Sequence, residues 1–185
     1  METQYPFKKL PPYYSVSEQV SQALRQHLPV VALESAVITH GLPRPQNMQL
    51  ALAVEEEVRS AGALPATIAL VDGKVRIGLT HEEIERLSYE TNTLKISLRD
   101  YGIAIARGEC GGTPVAGTLR AAQEVGIPVF ATGGIGGVHR GNPFDISADL
   151  IELSRTPVIV VCAGAQHAMD TAVGAFPEIE EVACE

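Results

Sequence analysis

A chain of 185 residues has room for one domain, and its 45% share of hydrophobic residues is ample for a buried core. A net charge of -8 disfavours nucleic acid and anionic membranes as partners, so a small ligand is expected. Three cysteines, Cys110, Cys162 and Cys184, are odd in number and lack metal-ligand spacing, which reads as reduced thiols in a cytoplasmic protein. The N-terminus has no basic stretch followed by an apolar core, and no apolar run nears the ~20 residues that span a bilayer. Neither secretion nor membrane insertion is therefore expected.

Residues 1–14, rich in proline and tyrosine, are expected to form an arm on the surface or on a neighbouring subunit. Ser15-Val-Ser-Glu18 matches the S-x-x-E capping box, and Val16, Val20, Ala23 and Leu24 predict a short helix to about His27. Pro29 ends it. Val30 to Leu33 is then a continuous apolar run of the kind buried on both faces, with Glu34 at its exit. The polar, proline-punctuated segment from Ser35 to Asn47 should hold no regular helix. Ala51, Val54 and Val58 mark the buried side of the next helix, and Glu55, Glu56 and Glu57 its solvated side. Thr67 to Val71, the Asp72-Gly73 turn and Lys74 to Gly78 read as a hairpin, and Thr80-His-Glu-Glu83 as a second capping box.

Leu94 to Ser97 is a short strand bearing Lys95, and a helical stretch with Ile103 and Ile105 follows. Gly111-Gly-Thr-Pro-Val115 is a glycine-rich turn opening a helix, with Thr113 as N-cap and Pro114 as its first residue, an arrangement that suits an anion. Gly126 caps that helix, and Ile127 to Thr132 form a strand that runs into Gly133-Gly-Ile-Gly-Gly137. Such a loop is a plausible phosphate cradle, to which His139 and Arg140 can add charge-assisted bonds. Asp145 and Asp149 are hard oxygen donors for a divalent cation or a sugar hydroxyl, or by default a helix N-cap and a solvent-facing carboxylate. A dinucleotide is disfavoured, because Val138-His-Arg140 replaces the helix a Rossmann loop requires. Leu150 to Leu153 end a short helix, and Pro157 to Cys162 make the last apolar strand, with Cys162 as a small core residue. It delivers Ala163-Gly-Ala-Gln166. Strands alternating with helices imply a three-layer α/β/α fold with a largely parallel, mixed sheet containing one antiparallel hairpin. Ligands of such folds bind at the carboxyl ends of strands, where Glu34, Lys95, the loop after Thr132 and Gln166 all fall. His40 and His167 are left as structural.

Taken together, Val-Ala-Leu-Glu-Ser (31–35), His40-Gly-Leu-Pro43, Pro45-Gln-Asn47, Gly62-Ala-Leu-Pro-Ala-Thr-Ile68, Lys95-Ile-Ser97, Gly111-Gly-Thr113, the stretch from Phe130 to Gly141, Phe144-Asp-Ile-Ser-Ala-Asp-Leu150 and Val161-Cys-Ala-Gly-Ala165 resemble the pseudouridine-5′-phosphate glycosidases, also called indigoidine synthase A-like proteins. The resemblance implies reversible cleavage of the C–C glycosidic bond of pseudouridine 5′-phosphate to uracil and ribose 5-phosphate. A C-glycoside has no heteroatom leaving group, so the paired-carboxylate route is unsuitable. Attack of a lysine on C1′, ring opening and a Schiff base replace it in the family.

By the same resemblance Glu34 is the general acid at the ring oxygen, and Lys95, Val115, Ser147, Ala148 and Asp149 touch the substrate. His139 assists at the phosphate or in proton transfer. Asp145 anchors a divalent metal, usually manganese, mostly through waters, and the assembly is a cytoplasmic homotrimer. Two features depart from the pattern. The family's Ala-Gly-Ala-Lys motif, which carries the Schiff-base lysine, ends here in Gln166, and a carboxamide is not a nucleophile. Beyond Asp170 the family's further strands and helices find no match, so 1–185 is expected to be one C-terminally truncated domain with apolar surface left exposed. Three readings stay open: a glycosidase, a catalytically impaired phosphosugar-binding or assembly paralogue, and a nonfunctional product.

Overall fold

In the computed structural model, residues 10–138 and 146–166 are described. Among them eight strands join one sheet. Its parallel centre is β2 (Val30–Leu33), flanked by β3 (Leu64–Val71) on one side and by β7 (Val129–Thr132) and then β9 (Ile159–Cys162) on the other. The eight residues of β3 exceed the length of β2, and that excess organises the rest. Its first half pairs with β2, while Ala69 and Leu70 pair with Gly112 and Gly111 of the antiparallel β6 (Gly111–Gly112). β5 (Leu94–Lys95) joins β6 in parallel. On the other edge β4 (Lys74–Ile77) returns through Asp72 and Gly73, both at positive φ (49° and 71°), the backbone that the Asp-Gly pair predicts.

The end of β2 and the start of the chain after β6 meet at a junction of buried hydroxyls. Ser35 and Thr113 both donate to the Ile68 carbonyl, and the Thr113 amide donates back to Ser35 Oγ at 3.0 Å. Thr113 is therefore not the N-cap expected of it. It is fully buried, Pro114 holds the cap position without a side-chain bond, and α5 (Val115–Val125) starts one residue later than predicted.

Helices cover both faces. On one, α1 (Glu18–Arg25), α4 (Tyr101–Arg107) and α5 enclose Val20, Ile68, Leu70, Ile77, Leu119 and Phe130. On the other, α2 (Gln46–Ser60) and α3 (His81–Tyr89) pack with Ile38, Ala69, Val71, Ile84 and Leu87. The fold is thus the α/β arrangement with a largely parallel sheet that the strand–helix alternation predicts, with β6 as an antiparallel pairing beyond the hairpin. No helix among the described residues is long and apolar enough to cross a membrane.

Four local expectations change. Tyr14 and Val16 turn inward against the core as β1 (Tyr14–Val16), parallel to β4, so Ser15 lies in a strand and Ser17 caps α1 by accepting from Val20 N. Core burial outweighs one more helical turn. A π-helix spans Val37–Gly41, inside the segment expected to lack regular helix. The acidic run on α2 is not wholly solvated: Glu55 is buried and accepts from Thr67 Oγ1 at 2.6 Å and Arg59 Nη2 at 2.7 Å, whereas Val54 faces out. Finally, β9 is the outermost strand among the described residues, and Cys162, Ile159 and Val161 are exposed.

Candidate functional site

From β2 the chain crosses to β3 on one side, and from β7 to β9 on the other, so the carboxyl ends of β2 and β7 bracket the point where strand order reverses. Leu33 and Ala131 are the last registered pair there. One residue further, Glu34 and Thr132 stand side by side, and the Thr132 hydroxyl donates to Glu34 Oε1. A cavity of about 710 Å³ opens over them. Glu34, Lys95, Val115, Ser147 and Asp149, chosen from separated parts of the sequence, all line it, together with the loop residues Gly133, Gly134 and Gly136.

Each arrives by a different element. Glu34 leaves β2 half-buried, and burial raises its pKa above the usual carboxylate range; Asp149 reinforces the rise, while the Thr132 hydroxyl and the Lys95 charge oppose it. Lys95 comes from β5, held against Gly112. Gly112 also packs closely on the residue that follows Glu34, because a Cβ on residue 112 would lie 2.6 Å from the Ser35 carbonyl oxygen. Val115 is the buried first residue of α5. Ser147 caps α6 (Ala148–Leu153), accepting from Asp149 N at 3.2 Å, and Ala148 begins that helix.

Asp149 is not the solvent-facing carboxylate of the default reading. Its Oδ1 accepts from Ala116 N at 2.9 Å and its Oδ2 from Gly136 N at 2.9 Å. It thus satisfies an orphan amide at the start of α5 and pins the glycine loop with the same group. The anion-friendly start foreseen at Gly111 to Val115 is therefore partly taken by the protein's own carboxylate. β8 (Ile135–Gly136) of that loop pairs in parallel with β10 (Ala165–Gln166), which brings the Gln166 backbone beside Gly136.

His139, Arg140 and Asp145 lie outside the described residues, so neither the expected phosphate contacts nor the expected metal ligand is placed. Among the described residues no three His, Cys, Asp or Glu side chains gather to hold a metal ion. Two polar lining residues stand outside the set expected from the sequence. His40, left as structural, lines the cavity from the π-helix with Nδ1 2.7 Å from Thr39 Oγ1. Thr132 was seen only as the last residue of a strand; parallel pairing of β2 with β7 is what sets it beside Glu34.

Residues 19–175 match the family model described as indigoidine synthase A like protein. A pseudouridine-5′-phosphate glycosidase of Dinoroseobacter shibae is 56% identical over 163 residues, covering 87% of this chain and 53% of its own. One from Escherichia coli is 53% identical over 163 residues, covering 86% and 52%. The chain thus spans about half the length of the curated relatives it matches. Among solved structures, the prealnumycin C-glycosynthase AlnA in complex with ribulose 5-phosphate superposes with a TM-score of 0.79 at 43% identity, covering 94% of this chain and 56% of that one. An indigoidine synthase A-like protein from Thermotoga maritima gives a TM-score of 0.80 at 30% identity, covering 94% and 58%.

Proposed function

We propose, from the premise that this chain belongs to the indigoidine synthase A-like family, that it acts on pseudouridine 5′-phosphate, reversibly cleaving its C–C glycosidic bond to uracil and ribose 5-phosphate. The observation that carries the reading is the convergence of Glu34, Lys95, Val115, Ser147 and Asp149 on one cavity at the strand-order reversal. The AlnA structure, which holds a pentose 5-phosphate, supports the substrate class.

Glu34 is suited to protonate the ring oxygen as the sugar opens, since its burial favours the protonated form. Lys95 supplies a cation on the cavity wall for the phosphate. Ser147 and the second lone pairs of Asp149 are available to sugar hydroxyls. A divalent metal, manganese in our reading, is assigned to Asp145 and would supply positive charge; an aspartate oxygen suits such an ion. Cytoplasmic location and a homotrimer complete the proposal.

Gln166 favours a second reading, a catalytically silent phosphosugar-binding paralogue, because its carboxamide stands where the resemblance expects an amine nucleophile. One assay separates the two. Release of uracil from pseudouridine 5′-phosphate with manganese, lost in Glu34→Gln, supports the glycosidase. Saturable ribose 5-phosphate binding without uracil release supports the silent paralogue, and Gln166→Lys is then expected to bring uracil release about a hundredfold or more above background. Absence of both binding and release overturns both readings.

A further inference from the structure

Thr132 Oγ1 lies against three groups at once: Glu34 Oε1, the Gly134 amide at 3.3 Å and the Gly134 carbonyl at 3.2 Å. A hydroxyl has one proton and two lone pairs, so the protonation state of Glu34 dictates how they are shared. With Glu34 ionised, the hydroxyl proton goes to the carboxylate and the Gly134 N–H fills a lone pair on Oγ1. With Glu34 protonated, the carboxylic O–H donates to Oγ1 instead. The hydroxyl proton then turns to the Gly134 carbonyl. Rotation about one C–O bond therefore keeps Glu34 and the Gly134 N–H bonded in both states and gives the Gly134 carbonyl a donor only when Glu34 is protonated, which suits an acid that must release a proton and recover it.

We propose that Thr132 is a positioning residue that transmits the protonation state of Glu34 to the Gly134 peptide of the glycine loop. The loop is pinned two residues on, where Asp149 accepts from Gly136 N, so a change at Gly134 is made against a fixed point. Asp149 from α6 and Lys95 from β5 also act on Glu34, and His40 on the π-helix lines the same cavity; Thr132 is the group that bonds both Glu34 and Gly134. The catalytic meaning of the coupling rests on the proposed glycosidase reading. The coupling itself does not need turnover to be seen.

The test is a pH titration of the full chain by NMR, following the Gly134 amide and the Glu34 carboxyl carbon. Their midpoints are expected to coincide, with the Gly134 step lost in Glu34→Gln and in Thr132→Val but kept in Thr132→Ser. Because the hydroxyl favours the ionised carboxylate, the Glu34 midpoint should also move up in Thr132→Val and return in Thr132→Ser. A Gly134 step that survives Thr132→Val, or a Glu34 midpoint indifferent to that change in a variant with native amide dispersion, overturns the proposal. Uracil release measured in parallel keeps the readings apart: its absence counts against the glycosidase and leaves the coupling measurable.

Discussion

Glu34 has its carboxyl half withdrawn from water, and that withdrawal fixes a sign as well as a role. Its folded pKa lies above the value of 4.5 that an unperturbed glutamate has, so folding favours the protonated form. The stabilisation this provides is complete below the unfolded pKa and is lost as pH rises through the folded one. Glu34→Gln, which is neutral throughout, should therefore gain in melting temperature relative to the parent as pH is raised from about 4 and level off above the folded pKa. A parallel offset at every pH would contradict the assignment of burial as the dominant cause. Thr67 tests a different buried carboxylate. Thr67→Val removes the 2.6 Å hydroxyl bond to Glu55, leaves Arg59 as its partner, and should cost about 1–3 kcal/mol in chemical denaturation. The position of Glu55 was hidden in the sequence, because Glu55, Glu56 and Glu57 are chemically alike. Only the placement of Thr67 on the facing side of β3 selects which one is buried.

At the level of elements, the apolar runs were legible because a continuous apolar stretch carries no competing signal: Val30 to Leu33 falls where the pattern puts it, and the strand expected over Ile127 to Thr132 forms over Val129 to Thr132. Capping signals were legible where nothing larger intervened. Thr80 and Glu83 form the reciprocal box that their spacing announces, whereas Ser15 is drawn into a strand by the burial of its neighbours. The two-residue β5 falls at the start of the strand expected over Leu94 to Ser97, whereas β6 was not legible: Gly111 and Gly112 lack the Cβ atoms that would meet the Leu94 and Ser35 carbonyl oxygens, and that space is set by the fold. Gly112→Ala tests this directly. Its Cβ would meet Thr39 Oγ1 at 2.4 Å and the Ser35 carbonyl oxygen at 2.6 Å, and the second of these is backbone that cannot swing aside. A loss of about 3 kcal/mol or more is expected, with weakened ribose 5-phosphate binding because β5, and Lys95 with it, is held by β6. Unchanged stability would mean that Gly112 does not pack against the Ser35 carbonyl.

Across the whole molecule, Glu34, Lys95, Val115, Ser147 and Asp149 line one cavity, and the apolar surface expected to be left exposed falls on β9, a strand the sequence reads as core. Registered pairing aligns Val31, Val129 and Ile159 in one row across β2, β7 and β9, and Leu33, Ala131 and Val161 in the next. Phe130 and Val160, on the opposite face, join the core under α5, but Ile159 and Val161 are 66% and 58% exposed. The sequence reads this last strand as core because its composition equals that of a buried strand; exposure depends on what packs against it, which composition does not encode. An exposed apolar patch on a strand that is outermost among the described residues promotes association. Charging it should suppress that association at little cost, because neither side chain has a buried environment to lose. We therefore expect Ile159→Lys combined with Val161→Lys to lower the apparent mass in sedimentation and light scattering while changing folding stability by less than about 1 kcal/mol. If instead the double variant unfolds, these side chains are buried in the assembled protein, and its association is part of its fold.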